Sequence, residues 1–142
     1  MSDYDFKDLC MDLQRKLPAN LHITKEGKNF VWIATKNYDI GTYPMHYEIR
    51  LQGRKVYAEI HYESEATISS NSDDCQTEFL NYFSGKTNFE LVQNSTVFYY
   101  WYRIKDRGVR FEEDCVDKVL DNLKELIQKT RDDLVNLMDK YF

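Results

Sequence analysis

The feature that most constrains the fold is a pair of alternating segments, 45–51 and 55–63, that flank Gly53. In each segment every second residue is apolar, and most of the residues between are polar or charged. A period of two places apolar side chains on one face of a strand and polar side chains on the other. Two such strands joined by a glycine turn predict an antiparallel β-hairpin with an apolar face and a solvent-facing polar face.

Helical periodicity precedes and follows this hairpin. It predicts a first helix over 3–17, with Ser2 as N-cap and Pro18 after its end, and a short helix over 73–84. A long helix is expected over 112–141, where residues spaced four and three apart form a heptad-like seam interrupted only by Thr130. The seam consists of Val116, Leu120, Leu123, Ile127, Thr130, Leu134, Leu137 and Tyr141.

Further strands are expected at 21–24, 30–35, 89–92 and 97–104, with the last two forming a hairpin around 93–95. Runs of strands between helices predict an α+β fold. The chain is therefore expected to form a single domain over 1–142. Its twisted antiparallel sheet has about five to six strands, with an N-terminal helix, a short middle helix and a long C-terminal helix packed on one face.

Charge and composition narrow the classes of partner. The net charge of −5 repels phosphate backbones, so nucleic-acid binding is not expected. No run approaches the roughly 18 apolar residues that a membrane span needs, and the acidic N-terminus does not resemble a targeting peptide, which favours a cytoplasmic location. The three cysteines are widely spaced and odd in number, so free buried thiols are expected.

The most chemically suggestive group lies on the polar face of the hairpin, where two imidazoles and two carboxylates share one side. These residues are His46, Glu48, Glu59 and His61. Such a set can bind a divalent metal or supply an acid–base pair. The register stays open: a two-residue turn sets His46 opposite Glu59, and a four-residue turn sets it opposite His61. The alternative is a row of solvated cross-strand pairs balanced by Arg50 and Lys55.

A related interpretation combines Asp39 with Glu59 and His61 as the catalytic set of a degenerate PD-(D/E)XK nuclease. In that motif an acidic residue precedes a Glu-x-Lys strand, and the lysine stabilises charge at the phosphate. Here His61 stands in the lysine position.

A resemblance covers roughly residues 30–142. The stretch YEIRLQGRKVYAEIHYES, a short helix, the segment FYYWYRI and a long helix resemble an uncharacterised bacterial domain family found beside restriction-type nucleases. This resemblance implies a bacterial or phage setting and carries over no catalytic residue. The order of elements, the size and the charge are also similar to those of small acidic chaperones that bind secreted effectors as homodimers.

The aromatic strand 97–104 suggests a binding surface. Alternation places Tyr99, Trp101 and Arg103 on one face, a composition enriched in binding hot spots, with Tyr57 as a further contact. The alternative is that helices cover both faces. The heptad-like seam likewise either pairs with a second copy in a homodimer or, as we prefer, packs on its own sheet.

These patterns predict a non-enzymatic protein-binding module, namely an inhibitor, adaptor or small chaperone with no cofactor. The alternative is a metal-dependent hydrolase or degenerate nuclease domain that uses a divalent metal.

Overall fold

A computed structural model of the chain describes residues 3–41, 45–65, 70–84, 90–95, 99–105 and 108–141. Side chains are described for 3–41, 45–63, 74–83 and 108–141. The helices are α1 (Phe6–Lys16), α2 (Ser70–Ser84) and α3 (Val116–Tyr141), and the strands are β1 (His22–Glu26), β2 (Phe30–Ala34), β3 (Met45–Gln52), β4 (Lys55–Glu65), β5 (Glu90–Ser95), β6 (Tyr99–Lys105) and β7 (Val109–Arg110).

The described strands form one antiparallel sheet in the order β1-β2-β3-β4-β6-β5, and the two-residue β7 pairs with the start of β4. The helices pack on the face that carries Tyr47, Ile60 and Tyr62, and together they enclose one hydrophobic core. The ring of Phe79 on α2, for example, lies 4.9 Å from that of Tyr62. The predicted α+β class, with three helices on one face of an antiparallel sheet, is confirmed.

The hairpin of β3 and β4 sets the register of the site described below. Gln52 pairs with Lys55 across a two-residue turn at 53–54, so His46 lies opposite His61 and Glu48 lies opposite Glu59. Gly53 has a φ of 62°, which glycine adopts without steric cost and which suits a tight hairpin. The observed pairing is one of the two predicted, but its turn is shorter than the four residues expected for it.

Helix α1 begins later than predicted. Asp5, rather than Ser2, is its N-cap: Asp5 Oδ1 accepts a hydrogen bond from the Asp8 backbone N–H at 3.0 Å, and Asp8 Oδ2 accepts one from the Asp5 N–H at 2.9 Å. This reciprocal capping box satisfies two amide donors that the first helical turn leaves without partners. Asp8 at the N3 position therefore accepts the hydrogen bond that glutamate or glutamine usually accepts in a capping box.

Helix α3 begins at Val116, four residues after the predicted start, because Asp114 has a φ of 69° outside the helical region. Its seam packs on the body of its own chain: Leu123 and Leu134 are fully buried, and Ile127 and Tyr141 are partly buried against the core. The buried part of the seam therefore packs within its own chain.

Two boundaries in the second half of the chain also differ from expectation. Helix α2 begins at Ser70, before the predicted start at 73, and β5 continues through Ser95, so the turn predicted at 93–95 lies within a strand. Strand β6 pairs with β4, which places the Arg103 backbone opposite His61. The side chains of Tyr99, Trp101 and Arg103, predicted as binding contacts, lie outside the described side chains.

Candidate metal centre

The polar face of the β3–β4 hairpin is buried, which contradicts the prediction that it faces solvent. The exposed fractions are 3% for His46, 1% for Glu48, 0% for Glu59 and 4% for His61. Neighbouring side chains on the same face contribute to this burial. Trp32 of β2 pairs with Glu48 across the strands, and its ring stacks on His46 with 4.1 Å between centroids. Alternation in a sequence shows which residues share a face, but it does not show what covers them.

Both buried imidazoles contact the Glu48 carboxylate. His46 Nε2 lies 3.0 Å from Glu48 Oε1, and His61 Nε2 lies 3.2 Å from Glu48 Oε2. The same His61 nitrogen is 2.7 Å from Glu59 Oε1. The two imidazole rings are stacked with centroids 5.0 Å apart. Two carboxylates therefore meet at a single imidazole nitrogen, with a second imidazole beside them.

Such a convergence of carboxylates needs positive charge. Glu48 and Glu59 lie directly opposite each other, and like charges in that position repel strongly when they are removed from water. Arg50 Nε supplies part of the balance, since it donates to Glu48 Oε2 at 2.8 Å and lies 3.8 Å from Glu59 Oε1. Burial opposes ionisation of Glu48, but the hydrogen bond from His46 and the charges of His61 and Arg50 outweigh it and lower its pKa. Glu48 is therefore a carboxylate at neutral pH.

The donor set suits a transition metal. One donor atom from each of His46, Glu48 and His61 lies within 4.8 Å of the others. A tetrahedral centre with bonds of about 2.0 to 2.1 Å separates its ligand atoms by roughly 3.3 Å. The 3.0 and 3.2 Å contacts of the two imidazole nitrogens are of similar length, but they reach different oxygens of Glu48, Oε1 and Oε2. Imidazole and carboxylate donors favour Zn²⁺, Fe²⁺ or Mn²⁺ over calcium.

The cluster borders a cleft of about 400 Å³. The lining residues are Lys25, Phe30, Trp32, Glu48, Arg50, His61 and Glu63. Phe30 and Trp32 form a half-buried aromatic wall, and the Lys25 Nζ lies 4.7 Å from the Trp32 ring centroid. Glu48 and His61 line this cleft although both are almost fully buried.

Two other predicted site residues lie away from the cluster. Asp39 forms an ion pair with Arg131 of α3, so it lies on the helical side of the sheet while Glu59 and His61 lie on the opposite face. The structure does not assemble the predicted set of Asp39, Glu59 and His61. Tyr57, a predicted contact, pairs with Arg50 across the strands and is half-buried.

Sequence reasoning found the four polar residues but missed the groups that make them a site. Trp32 and Lys25 come from neighbouring strands, and nothing in the spacing along the chain links them to His46 or Glu48. The alternation of Phe30 and Trp32 with buried Val31 and Ile33 is the one signal that pointed to this face.

Comparison with protein-family models, curated proteins and solved structures finds no match. Among the described helices, none is long and apolar enough to cross a bilayer.

Proposed function

We propose that this domain binds a divalent transition metal through His46, Glu48 and His61, with the Glu59 carboxylate beside His61 adding to the negative charge of the site. The observation that supports this most directly is the convergence of two buried carboxylates on His61 Nε2, 2.7 and 3.2 Å away. A divalent cation at that point neutralises both carboxylates and uses nitrogen and oxygen donors of the kind that zinc prefers.

The metal in this proposal acts on a small molecule. Structural zinc sites are usually closed by four protein ligands, most often cysteine and histidine, whereas catalytic sites combine histidine and carboxylate ligands with access to water or substrate. In this proposal the cleft lined by Glu48 and His61 is the route of that access. We therefore place the protein with metal-dependent hydrolases, in which the metal activates water or polarises an oxygen of the substrate.

The competing explanation is a metal-free charge network. In that arrangement a protonated His61 and Arg50 together balance Glu48 and Glu59, and the cluster only holds β3 to β4. The two explanations predict different results when a divalent metal is added: the first predicts binding at the cluster, and the second predicts none.

The test is calorimetric titration of chelator-treated protein with Zn²⁺, Mn²⁺ and Ca²⁺. We expect one Zn²⁺ per chain, weaker binding of Mn²⁺ and none of Ca²⁺. His46→Gln and His61→Gln should each weaken Zn²⁺ binding by at least about tenfold, which is about 1.4 kcal/mol. The matched control is His22→Gln, which removes the third histidine, whose ring stacks on Tyr38 outside the cluster.

A second measurement covers the case in which a buried substitution unfolds the domain. Co²⁺ bound to the unmodified protein should give the visible absorption of a low-coordinate nitrogen–oxygen site, and Zn²⁺ should displace it. No heat with Zn²⁺ and no Co²⁺ spectrum would leave the charge network as the explanation. Equal Zn²⁺ binding by the His46→Gln and His22→Gln proteins would have the same meaning.

The protein-binding role predicted from Tyr57, Tyr99, Trp101 and Arg103 stays a prediction, since three of these four side chains lie outside the described ones. It is compatible with metal binding, because the two roles use different residues.

A further inference from the structure

We infer that the cleft beside the metal centre binds the phosphoryl group of a small phosphate ester, with Lys25 and Arg50 as its anion-binding residues. This inference rests on the proposed metal site and names the class of ligand that the site takes. Its first support is the position of the two cations. Lys25 Nζ lies 4.7 Å from the Trp32 ring centroid and 5.9 Å from that of Phe30, and the Arg50 Cζ lies 5.3 Å from the Phe30 centroid.

Both cations retain donors for a ligand. Arg50 uses its Nε on Glu48, and among the described residues its two terminal nitrogens have no hydrogen-bond or ion-pair partner. Within the same part of the chain, the Lys25 side chain has no hydrogen bond or ion pair, and its Nζ lies near the two aromatic rings. A guanidinium edge and an ammonium beside one cleft are the usual donors to a phosphoryl group.

The charge balance of the cleft makes this binding depend on metal. The carboxylates of Glu48, Glu59 and Glu63 outnumber the Lys25 and Arg50 cations around the metal-free cleft, which disfavours an anion there. A divalent ion reverses the sign. The phosphoryl group and the metal should therefore each raise the affinity of the other, as thermodynamic linkage requires.

Size and charge favour a small ester over a polymer. The cleft of about 400 Å³ is at the small end of ligand pockets, which range from about 300 to 1,000 Å³. The net charge of −5 disfavours an extended polyanion such as nucleic acid. The aromatic wall of Phe30 and Trp32 gives the carbon part of the ester an apolar surface.

The experiment uses phenyl phosphate and inorganic phosphate as probes, after Zn²⁺ binding has been measured alone. Calorimetry should show phenyl phosphate binding at least about tenfold more tightly to the Zn²⁺-loaded protein than to the metal-free protein, a coupling of about 1.4 kcal/mol. Inorganic phosphate should bind with the same dependence on metal but more weakly, because it lacks the ring. With Mn²⁺ in the site, the ³¹P signal of phenyl phosphate should relax faster, which reports that phosphorus lies close to the metal.

The Lys25→Met variant tests the anion site separately from the metal site. Lys25 is exposed and forms no hydrogen bond or ion pair with the proposed metal ligands, so the variant should keep the Zn²⁺ affinity of the unmodified protein and lose about tenfold in affinity for phenyl phosphate. Lys28→Met is the matched control, because it removes the same charge from an exposed lysine in the turn that follows β1 and should change the affinity less than about twofold.

The outcomes separate the two proposals. If Zn²⁺ does not bind, the proposed function fails and this inference fails with it. If Zn²⁺ binds but phenyl phosphate binds equally with and without it, or equally to the Lys25→Met and Lys28→Met proteins, only the inference is overturned. Tighter binding of a single-stranded oligonucleotide than of phenyl phosphate would overturn the assignment to a small ester.

Discussion

At the scale of single residues, burial determines the chemistry of the three cysteines. Cys10, Cys75 and Cys115 are all free and buried. Burial, with smaller contributions from the charges of Glu26 and Asp5, raises the pKa of the Cys10 thiol to about 11. The thiolate is the reactive form, so these thiols should be inert in the folded protein.

We therefore expect no reaction of the native protein with Ellman's reagent at pH 8, where roughly one Cys10 thiol in a thousand is ionised. In denaturant all three thiols per chain should react, since unfolding exposes them and restores ordinary pKa values. Stoichiometric reaction of the native protein within minutes would show that this side of α1 opens readily.

The residue scale is also where sequence reasoning about the site succeeded in part. His46, Glu48, Glu59 and His61 were identified because a period of two places them on one face, and the structure brings them within contact distance. Their burial was missed, because it comes from Trp32 and other side chains on neighbouring strands. Which strands are neighbours depends on long-range pairing that a single chain segment does not encode.

At the scale of elements, the polar interruption in α3 has a specific role. Thr130 is 1% exposed, and its hydroxyl donates to the Leu126 carbonyl oxygen at 2.7 Å. Thr130 Oγ1 thus accepts from the Tyr47 hydroxyl, 2.8 Å away, and links the helix to β3. Periodicity predicted that this helix face packs on the sheet, but it treated Thr130 as an interruption because it could not see that a buried tyrosine needs an acceptor.

Thr130→Val should destabilise the domain by about 1 to 2 kcal/mol, because it leaves the Tyr47 hydroxyl buried without that acceptor. Tyr47→Phe removes the hydroxyl itself, so the double variant should be more stable than the sum of the two single effects predicts. Urea denaturation of the four proteins measures this coupling. Strictly additive free energies of unfolding would show that the hydroxyl has another partner.

Helix starts show the same limit of local patterns. The sequence predicted Ser2 as the N-cap of α1 and position 112 as the start of α3. In the structure the N-cap of α1 is Asp5, and α3 starts at Val116. Cap preference alone ranks serine and aspartate equally, and each candidate has an aspartate three positions later, so the local pattern does not choose between Ser2 and Asp5.

At the scale of the whole molecule, several hydroxyl and thiol groups tie the stability to pH. Burial and a hydrogen bond to Asp12 raise the pKa of Tyr4, and burial and a hydrogen bond to Asp133 raise that of Tyr82. Burial also raises the pKa of Cys10. A group whose pKa is higher in the folded state stabilises the fold fully below its unfolded pKa, and this stabilisation is lost as the pH rises toward the folded value.

The free energy of unfolding should therefore fall between about pH 9 and 11, since unfolded cysteine and tyrosine ionise near 8.5 and 10. Urea midpoints across this range measure the effect, and Tyr82→Phe should reduce the slope because it removes one titrating group. A midpoint that stays level or rises with pH would contradict the assigned directions.

The order of strands has a consequence for how the chain is made. Strand β4 receives β3 as a neighbour immediately, but its other neighbour is β6, which is synthesised only after α2 and β5. On the ribosome, the edge of β4 that pairs with β6 near His61 therefore has no partner strand until position 105 has left the exit tunnel. This edge of β4 is therefore open to association with other nascent chains until the β5–β6 unit has been synthesised. A pause in translation between positions 65 and 90 lengthens the time for which the edge stays unpaired.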